Sequence, residues 1–324
     1  MTPEKLTSTA RHPRWRAMSF SRRRFLTLGL PALGGAPLLA APASMPVVSA
    51  PQLRFGVIAD PQYVDAPPAG TRHYRESLGK LEACVAEMNR HDLAFVITLG
   101  DLIDRDFASF GPVLGKYSAL KSSHRIVLGN HDFAVADADK PRVLGNVGLP
   151  SAHYSFSHGP WRIVVIDGTE VSTYRHATDD PRTADAGQRL AKLASTGAGN
   201  AKEWNGAVGD AQLQWLDGEL SAAKTAAQRV IVCGHFPLLP LGDSHRLWNS
   251  GEVVALLDRH PHVAAYFNGH NHKGNHTHAA HCHHVNFKGM VETATDNPFA
   301  IVECHADRLD ITGYGPEPTR GKLG

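Results

Sequence analysis

The sequence is poor in cysteine, in net charge and in long apolar runs. Its four cysteines include no Cys-x-x-Cys pair, so we expect no thiolate metal site and interpret all four as buried free thiols. The formal net charge of the 324 residues is only +2, and no segment after residue 43 is long and apolar enough to predict a transmembrane helix. What remains is a globular chain whose hydrophobic fraction of 42% suffices to bury a core.

The first 43 residues have the layout of an export signal. The arginine-rich stretch SRRRFL at 21–26 precedes the apolar stretch TLGLPALGGAPLLAA, and Ala41-Pro42-Ala43 provides a small-residue cleavage site. The paired arginines resemble the twin-arginine signal of bacteria, which predicts an exported chain, periplasmic or secreted, that engages the twin-arginine export machinery. A disordered basic tail is the alternative interpretation.

Removing residues 1–43 reverses the sign of the net charge. That segment holds seven of the 33 Lys and Arg residues and one of the 31 Asp and Glu residues, which leaves 26 basic and 30 acidic residues, a net charge of −4. A mildly acidic chain without a basic patch gives no reason to expect a nucleic-acid partner.

Short β-rich runs alternate with helical patterns along the rest of the chain, and closely spaced strands follow residue 283. This order predicts an α/β fold in which two packed sheets are flanked by helices. The segment 172–206 is the largest irregular insertion, and loops of that length inside a compact domain are usually functional or disordered. The runs predicted as strands are 53–59, 93–99, 125–128, 161–167, 229–233 and 263–268, and those predicted as helices are 75–90, 210–224 and 251–259.

Five of the predicted strands end in Asp, Asn, Gln or His, nearly always beside a glycine. Ligands of open α/β sheets bind at the carboxyl ends of the strands, and glycine lets the backbone turn sharply there. One such histidine is usually satisfied structurally, but carboxylates and imidazoles buried together must be paired or bound to metal. Oxygen and nitrogen donors without thiolate favour hard or borderline divalent ions. The five ends are Asp60-Pro61-Gln62, Gly100-Asp101, Gly129-Asn130-His131-Asp132, Gly234-His235 and Gly269-His270-Asn271-His272.

This ordered set resembles the calcineurin-like metallophosphoesterase family, whose motifs run D-x-H, G-D, G-N-H-[DE], G-H and G-H-x-H. Every motif is present in order, with one departure, at Gln62. The resemblance implies a four-layer α/β/β/α sandwich of two mixed sheets, in a domain spanning 51–315. It also implies a dinuclear centre of divalent ions, a kind of site that activates water and clamps phosphoryl oxygens.

The family's ligand roles carry over residue by residue. Asp60, Gln62 and His272 would hold the first ion, and Asp101 would bridge both. Asn130, His235 and His270 would complete the second position. His131 lies outside the ligand set and would protonate or stabilise the leaving oxygen, oriented by Asp132.

The glutamine at position 62, where the family motif has histidine, indicates which subfamily the sequence resembles. Purple acid phosphatases have a tyrosine three residues after the G-D aspartate, where this sequence has Asp104, so no tyrosinate-iron site is expected. Gln62 instead is similar to the manganese-dependent ADP-ribose/CDP-alcohol diphosphatases, as are the stretches 70–75, 204–216, 283–286 and 292–294. The resemblance implies Mn²⁺, with Mg²⁺, Fe²⁺, Zn²⁺ or Co²⁺ as alternatives. It implies as substrate a nucleotide-like phosphorylated small molecule, a nucleoside diphosphate derivative such as ADP-ribose or a CDP-alcohol, whose phosphoanhydride is hydrolysed.

Two other functions stay open at this point. One is a phosphomonoesterase or phosphodiesterase of broad specificity, and the other is an inactive periplasmic metal-binding protein. The intact His131 argues against the second, because a metal carrier needs no leaving-group acid.

Several further residues have two interpretations each. Arg72 and Arg75 could bind a second phosphate, or they could be surface arginines at a helix start. Three aromatic residues near the motifs could stack on a base or pack in the core: Tyr63, Phe133 and Trp248. Three histidines beyond the family's motifs could bind metal or lie in a solvated loop: His276, His278 and His281.

Overall fold

A computed structural model describes residues 50–324 of the chain. The predicted export signal at 1–43 lies outside the described residues. Within 50–324, no helix is long and apolar enough to cross a bilayer. The four cysteines are free and buried, as the sequence predicts.

The first of two six-stranded sheets contains the first and the last strands of the described chain. Its order is β12-β11-β10-β1-β2-β3, with β1 to β3 parallel and β10 to β12 antiparallel. Because β12 pairs with β11, this sheet continues past residue 315, the expected end of the domain. Its strands are β1 (Leu53–Ile58), β2 (Phe95–Leu99), β3 (Ser123–Val127), β10 (Phe299–Cys304), β11 (Leu309–Tyr314) and β12 (Arg320–Leu323).

The second sheet has the order β4-β5-β6-β7-β9-β8 and is also mixed. Strands β5, β6, β7 and β9 run parallel, while β4 and β8 are antiparallel edges. Its strands are β4 (Tyr154–His158), β5 (Trp161–Val165), β6 (Arg229–Cys233), β7 (Val263–Asn268), β8 (Asn275–Ala279) and β9 (Cys282–Asn286).

Helices cover the outer face of each sheet. Helices α1 (Ser77–Met88) and α2 (Phe110–Tyr117) pack on the first sheet, and α5 (Asp210–Thr225) and α6 (Ser250–Asp258) pack on the second. The apolar inner faces of both sheets form the central core, with Phe55 against Phe267. Burial on both faces explains why these strands are continuous apolar runs. The predicted four-layer α/β/β/α sandwich is confirmed.

The segment 172–206 is more ordered than the sequence predicted. It contains α4 (Pro181–Ser195), which begins where the Asp180 side chain accepts a hydrogen bond from the Arg182 backbone N–H. Proline at the first position and an aspartate cap favour this start. The low apolar content of the segment concealed the helix, because α4 buries only Ala186. One short helix, α3 (Val143–Asn146), precedes β4.

Candidate metal centre

The carboxyl ends of β1, β2 and β3 bring oxygen donors together. Asp60 and Asp101 follow β1 and β2, and both are fully buried. The Gln62 Nε2 amide donates to Asp101 Oδ2 at 2.9 Å, and the His131 backbone N–H donates to Asp101 Oδ1 at 2.8 Å. Asn130 follows β3 and is also buried. The first sheet therefore delivers the four predicted oxygen ligands to one point.

The ends of β6 and β7 bring imidazoles to the same point. His235 Nε2 lies 3.3 Å from Asp101 Oδ2, and His272 Nε2 lies 3.6 Å from Asp60 Oδ1. The His270 backbone N–H donates to both Asp60 carboxylate oxygens, at 3.0 and 3.1 Å. All seven predicted metal ligands thus lie where the two sheets meet.

Four of these ligands adopt left-handed backbone conformations that are uncommon outside glycine. The φ angles are 48° at Asp60, 43° at Gln62, 53° at Asp101 and 66° at His270. Such strain persists only where surrounding structure enforces it, and it clusters at functional sites. Gly269 permits the approach, because a Cβ there would lie 2.5 Å from Asp60 Oδ2.

The donor atoms fit two ions that share one ligand. Asp101, His235 and His270 form one group, and Asp60, Asp101 and His272 form another; within each group the ligand atoms lie within 4.8 Å of one another. Asp101 is common to both, as expected of a bridging carboxylate. The Gln62 amide lies at the centre, with its Nε2 3.3 Å from His272 Nε2 and its buried Oε1 without a hydrogen-bond partner. Turning the amide by 180° would point this oxygen at a cation.

Each imidazole is also held from behind, as metal-ligating histidines usually are. His235 Nδ1 lies 2.7 Å from the Leu99 carbonyl oxygen, and His272 Nδ1 lies 2.7 Å from Glu292 Oε1. His270 Nε2 lies 2.9 Å from Asn205 Oδ1. The other ring nitrogen of each histidine therefore faces the centre.

Neighbouring charged groups shift one another's pKa values in this buried cluster. Burial disfavours the Asp101 carboxylate, yet the His235 and His131 imidazoles hold its pKa well below the usual range. Conversely, burial lowers the pKa of His235, but the Asp101 and Asp60 carboxylates raise it to about 9. Burial also lowers the pKa of His272, but the Asp60 and Glu292 carboxylates raise it to about 9. His270 differs, because burial and the neighbouring His235 hold its pKa well below the usual range.

His131 lies beside the centre, but its partner is not the predicted one. Its Nδ1 lies 2.5 Å from Asp104 Oδ1, and Arg105 contacts the same Asp104 carboxylate. Burial alone would raise the pKa of Asp104, but His131 and Arg105 lower it. Asp104 therefore fixes the His131 ring.

Asp132 has a structural role rather than the expected orienting role. Its buried carboxylate accepts hydrogen bonds from the backbone N–H groups of Gly129, Asp101 and Leu102, at 2.9, 3.1 and 2.8 Å. It therefore ties the turn after β3 to the turn after β2. Burial and the neighbouring Asp101 raise the pKa of Asp132 to about 7.

A cavity of about 390 Å³ opens above the centre. Arg72 Nη1 lies 3.5 Å from His131 Nε2, so the predicted guanidinium reaches the site. Trp204, 46% exposed, lies on the wall with its ring near the His245 ring. His245 Nδ1 lies 3.0 Å from Asp243 Oδ1, which gives the cavity a second His–Asp pair. The lining residues are Gln62, Arg72, Asn130, His131, Trp204, His245, His270 and His272.

Arg75 and the three proposed stacking residues lie elsewhere. Arg75 is half exposed and pairs with Asp65, outside the cavity lining. Phe133 is 1% exposed beneath the Arg175 guanidinium, and Trp248 is 6% exposed with its indole N–H donating to the Lys202 carbonyl. Tyr63 packs against the core under α1 and α2. Phe133 and Trp248 are thus core residues, and Tyr63 is half-buried beside the core.

Sequence reasoning missed Asp104, Asn205, Glu292 and the Asp243–His245 pair as functional residues. Asn205 and Glu292 lie in stretches already similar to the diphosphatases, and that was the one available signal. Their contacts with His270 and His272 span 65 and 20 residues. Asp104 was noted only as the place where a tyrosine is lacking.

Fold and site together define a phosphorus-bond hydrolase that binds divalent metal. The calcineurin-like phosphoesterase family model matches residues 53–274, and the chain belongs to that family. Among its relatives is the manganese-dependent ADP-ribose/CDP-alcohol diphosphatase of Arabidopsis thaliana, 30% identical over 81% of this chain and 94% of the relative. The Homo sapiens protein of that description is 25% identical over 82% and 91%.

A solved structure supports the same assignment. A dimetal phosphatase from Danio rerio superposes with a TM-score of 0.74 at 25% identity, covering 83% of this chain and 98% of that one. A purple acid phosphatase from yellow lupin shares only the fold, with a TM-score of 0.51 and 12% identity over 83% of this chain and 53% of that one. The predicted family, fold class and hydrolase activity are confirmed.

Proposed function

We propose that this chain hydrolyses the phosphoric anhydride of nucleoside diphosphate derivatives, such as ADP-ribose and CDP-alcohols, with Mn²⁺ at both metal positions. The observation that carries the proposal is the paired ligand groups sharing Asp101 below a cavity that offers a cation and an exposed indole. The relatives named for this reaction align over four fifths of the chain, and the family model spans every metal ligand from Asp60 to His272.

The metal ligands would fall into two sets, one for each ion. Asp60, Gln62 and His272 would hold one ion, and Asn130, His235 and His270 the other, with Asp101 between them. When bound, two such ions supply Lewis acidity toward phosphoryl oxygens and a nucleophilic water at neutral pH. The protein's part is to fix these donors rigidly, and the strained turns and outer hydrogen bonds do so.

His131 is placed to serve the leaving group. Its Nδ1 is held by Asp104, so its Nε2 faces the cavity beside Arg72. A proton on Nε2 can pass to the departing phosphate oxygen, and the Asp104 carboxylate holds the ring in position for that transfer. Arg72 would bind the second phosphate of a diphosphate, because a guanidinium fork matches phosphate oxygens.

Trp204 offers a surface for the base or for another ring of the substrate. The indole is the exposed aromatic side chain of the cavity, and Lys202 Nζ lies 5.9 Å from its centroid. Aromatic stacking tolerates any base, so it fits a class with both adenine and cytosine derivatives. We therefore expect Trp204→Ala to raise KM for nucleotides more than for phosphate esters that lack a base.

A substrate panel tests the proposal. The chain is stripped of metal, reloaded with Mn²⁺ and assayed with ADP-ribose, CDP-glycerol, cyclic AMP and p-nitrophenyl phosphate. We expect the highest kcat/KM for the two diphosphates, and Asp101→Asn as a matched control should remove all four activities. Preference for p-nitrophenyl phosphate or cyclic AMP would favour the broad-specificity esterase, and metal binding without turnover would favour the inactive metal-binding protein.

We further propose that the chain is exported by the twin-arginine route, on the strength of its basic, apolar and small-residue segments in order. This route carries folded proteins, so the centre could fill with metal before export. Replacing Arg22 and Arg23 by lysine should leave an uncleaved, active chain inside the cell. Normal processing of that variant would contradict the proposal.

A further inference from the structure

A second group of imidazoles lies on the hairpin of β8 and β9. His276 and His278 are two residues apart on β8, so their side chains emerge on one face of the strand. The strand register places His278 opposite His283 of β9. The three histidines therefore share one face at the edge of the second sheet.

Two of their nitrogens already have the separation that a metal ion requires. His276 Nε2 lies 3.1 Å from His283 Nδ1. Two imidazole nitrogens bound to one tetrahedral Zn²⁺ at about 2.0–2.1 Å would lie about 3.3 Å apart. The His278 ring stacks on His283 with centroids 4.1 Å apart, so a third nitrogen from His278 requires its exposed side chain to rotate.

His283 is poorly explained as a structural residue. It is 6% exposed, and its one side-chain hydrogen-bond partner in the described part of the chain is another imidazole, that of His276. A metal ion between these two facing nitrogens would hold the buried ring through its Nδ1.

Burial and the surrounding charges favour the neutral form of His276 and His283, which is the form that binds metal. Burial and the neighbouring histidines lower the pKa of His283 to about 4, and burial and Arg320 lower the pKa of His276. Arg320 itself pairs with Glu317 at 2.6 Å. Arg229, the other cation near His283, donates to the His305 and Ala306 carbonyl groups.

We propose that His276, His278 and His283 form a binding site for a late transition metal, Zn²⁺, Ni²⁺ or Cu²⁺, separate from the dinuclear centre. All-imidazole donors favour these ions over Mn²⁺ and Mg²⁺, whereas the dinuclear centre is rich in oxygen. The two exposed histidines give the ion access from solvent, and the buried one fixes the position.

The test is Zn²⁺ binding to the Mn²⁺-loaded chain, measured by equilibrium dialysis and elemental analysis of both metals. Wild type should bind one Zn²⁺ beyond any that replaces Mn²⁺. The double variant His276→Thr/His278→Thr should lose that equivalent and retain its Mn²⁺. Both positions are exposed on an edge strand, where threonine is well tolerated, so circular dichroism should show an unchanged fold.

His281→Asn is the matched control, because His281 lies in the same hairpin but its Nε2 contacts the His260 carbonyl instead. It should keep the extra Zn²⁺. With Cu²⁺, electron paramagnetic resonance should show nitrogen couplings in wild type and His281→Asn that vanish in the double variant. Equal Zn²⁺ binding by wild type and double variant, or loss in His281→Asn, would overturn the assignment.

Discussion

The two sheets contribute different ligand chemistry to one centre. The first sheet ends in oxygen donors, Asp60, Gln62, Asp101 and Asn130, whereas the second ends in imidazoles, His235, His270 and His272. Neither set would be stable alone, because buried carboxylates without cations and clustered imidazoles without anions are both costly. The site exists only because the sandwich brings the two strand edges face to face.

The ligands also differ in how many parts of the centre they contact. Asp101 contacts both sides, through Gln62 on its own sheet and His235 on the other. The imidazoles, by contrast, each have one partner behind them, from Leu99, Asn205 or Glu292. Changes at Asp101 should therefore affect the whole centre, whereas changes behind an imidazole should affect one ion.

The largest effect is expected for Asp101→Asn. Loss of an outer partner of a metal ligand already costs about 10–100-fold in metal affinity, and loss of the shared ligand should exceed that. We expect activity to be nearly abolished and much of the bound metal to be lost, measured by turnover and elemental analysis. A variant that keeps two metals per chain and its activity would remove Asp101 from the bridging position.

His131→Ala should leave the metal ligands of both sheets in place and lower turnover. The metals should stay bound, and turnover should fall by roughly 10²–10⁴, the usual contribution of a positioned general acid. The loss should shrink for substrates with good leaving groups, which need less protonation. An equal loss across leaving groups would contradict the acid role.

Glu292→Gln and Asn205→Ala should each weaken one ion. Glu292 holds His272 and Asn205 holds His270, which belong to different ligand groups. We expect roughly 10–100-fold weaker binding of one Mn²⁺ per variant, with the other unchanged, measured by calorimetric titration. If both variants weakened the same ion, the division of ligands between the two positions would be wrong.

The smallest effect is expected for Gln62→His, which places a nitrogen donor on the oxygen-rich side. The amide carbonyl is a neutral hard donor, whereas imidazole favours zinc, iron or copper. After stripping, the variant should retain metal more tightly and prefer Mn²⁺ less when compared across Mn²⁺, Mg²⁺, Co²⁺ and Zn²⁺. Unchanged retention and ranking would show that Gln62 is not a ligand.

The sequence indicated the fold and the ligand positions because both follow from local patterns. Apolar runs predicted the buried strands, and a polar residue after each run marked the ligand edge. The backbone strain at Asp60 and Asp101 left no such mark, because it depends on contacts across the centre. The role of Asp132 was misjudged for the same reason: its adjacency to His131 suggested a contact that the turn geometry gives to Asp104 instead.

The segment 172–206 and Arg75 illustrate two other limits. A helix that packs few apolar residues has little periodic signal, so the sequence predicts an irregular segment where α4 lies. Arg75 lies three residues from Arg72, yet the two side chains diverge to the surface and to the cavity. Spacing along the chain does not determine direction where the backbone is irregular.

The most direct test of the two-sheet centre is a crystal structure of the Mn²⁺-loaded chain with anomalous data at the manganese absorption edge. The account predicts two anomalous peaks on either side of the Asp101 carboxylate. One should lie against Asp60, Gln62 and His272, and the other against Asn130, His235 and His270. A single peak, or a pair of peaks that Asp101 does not contact, would contradict it.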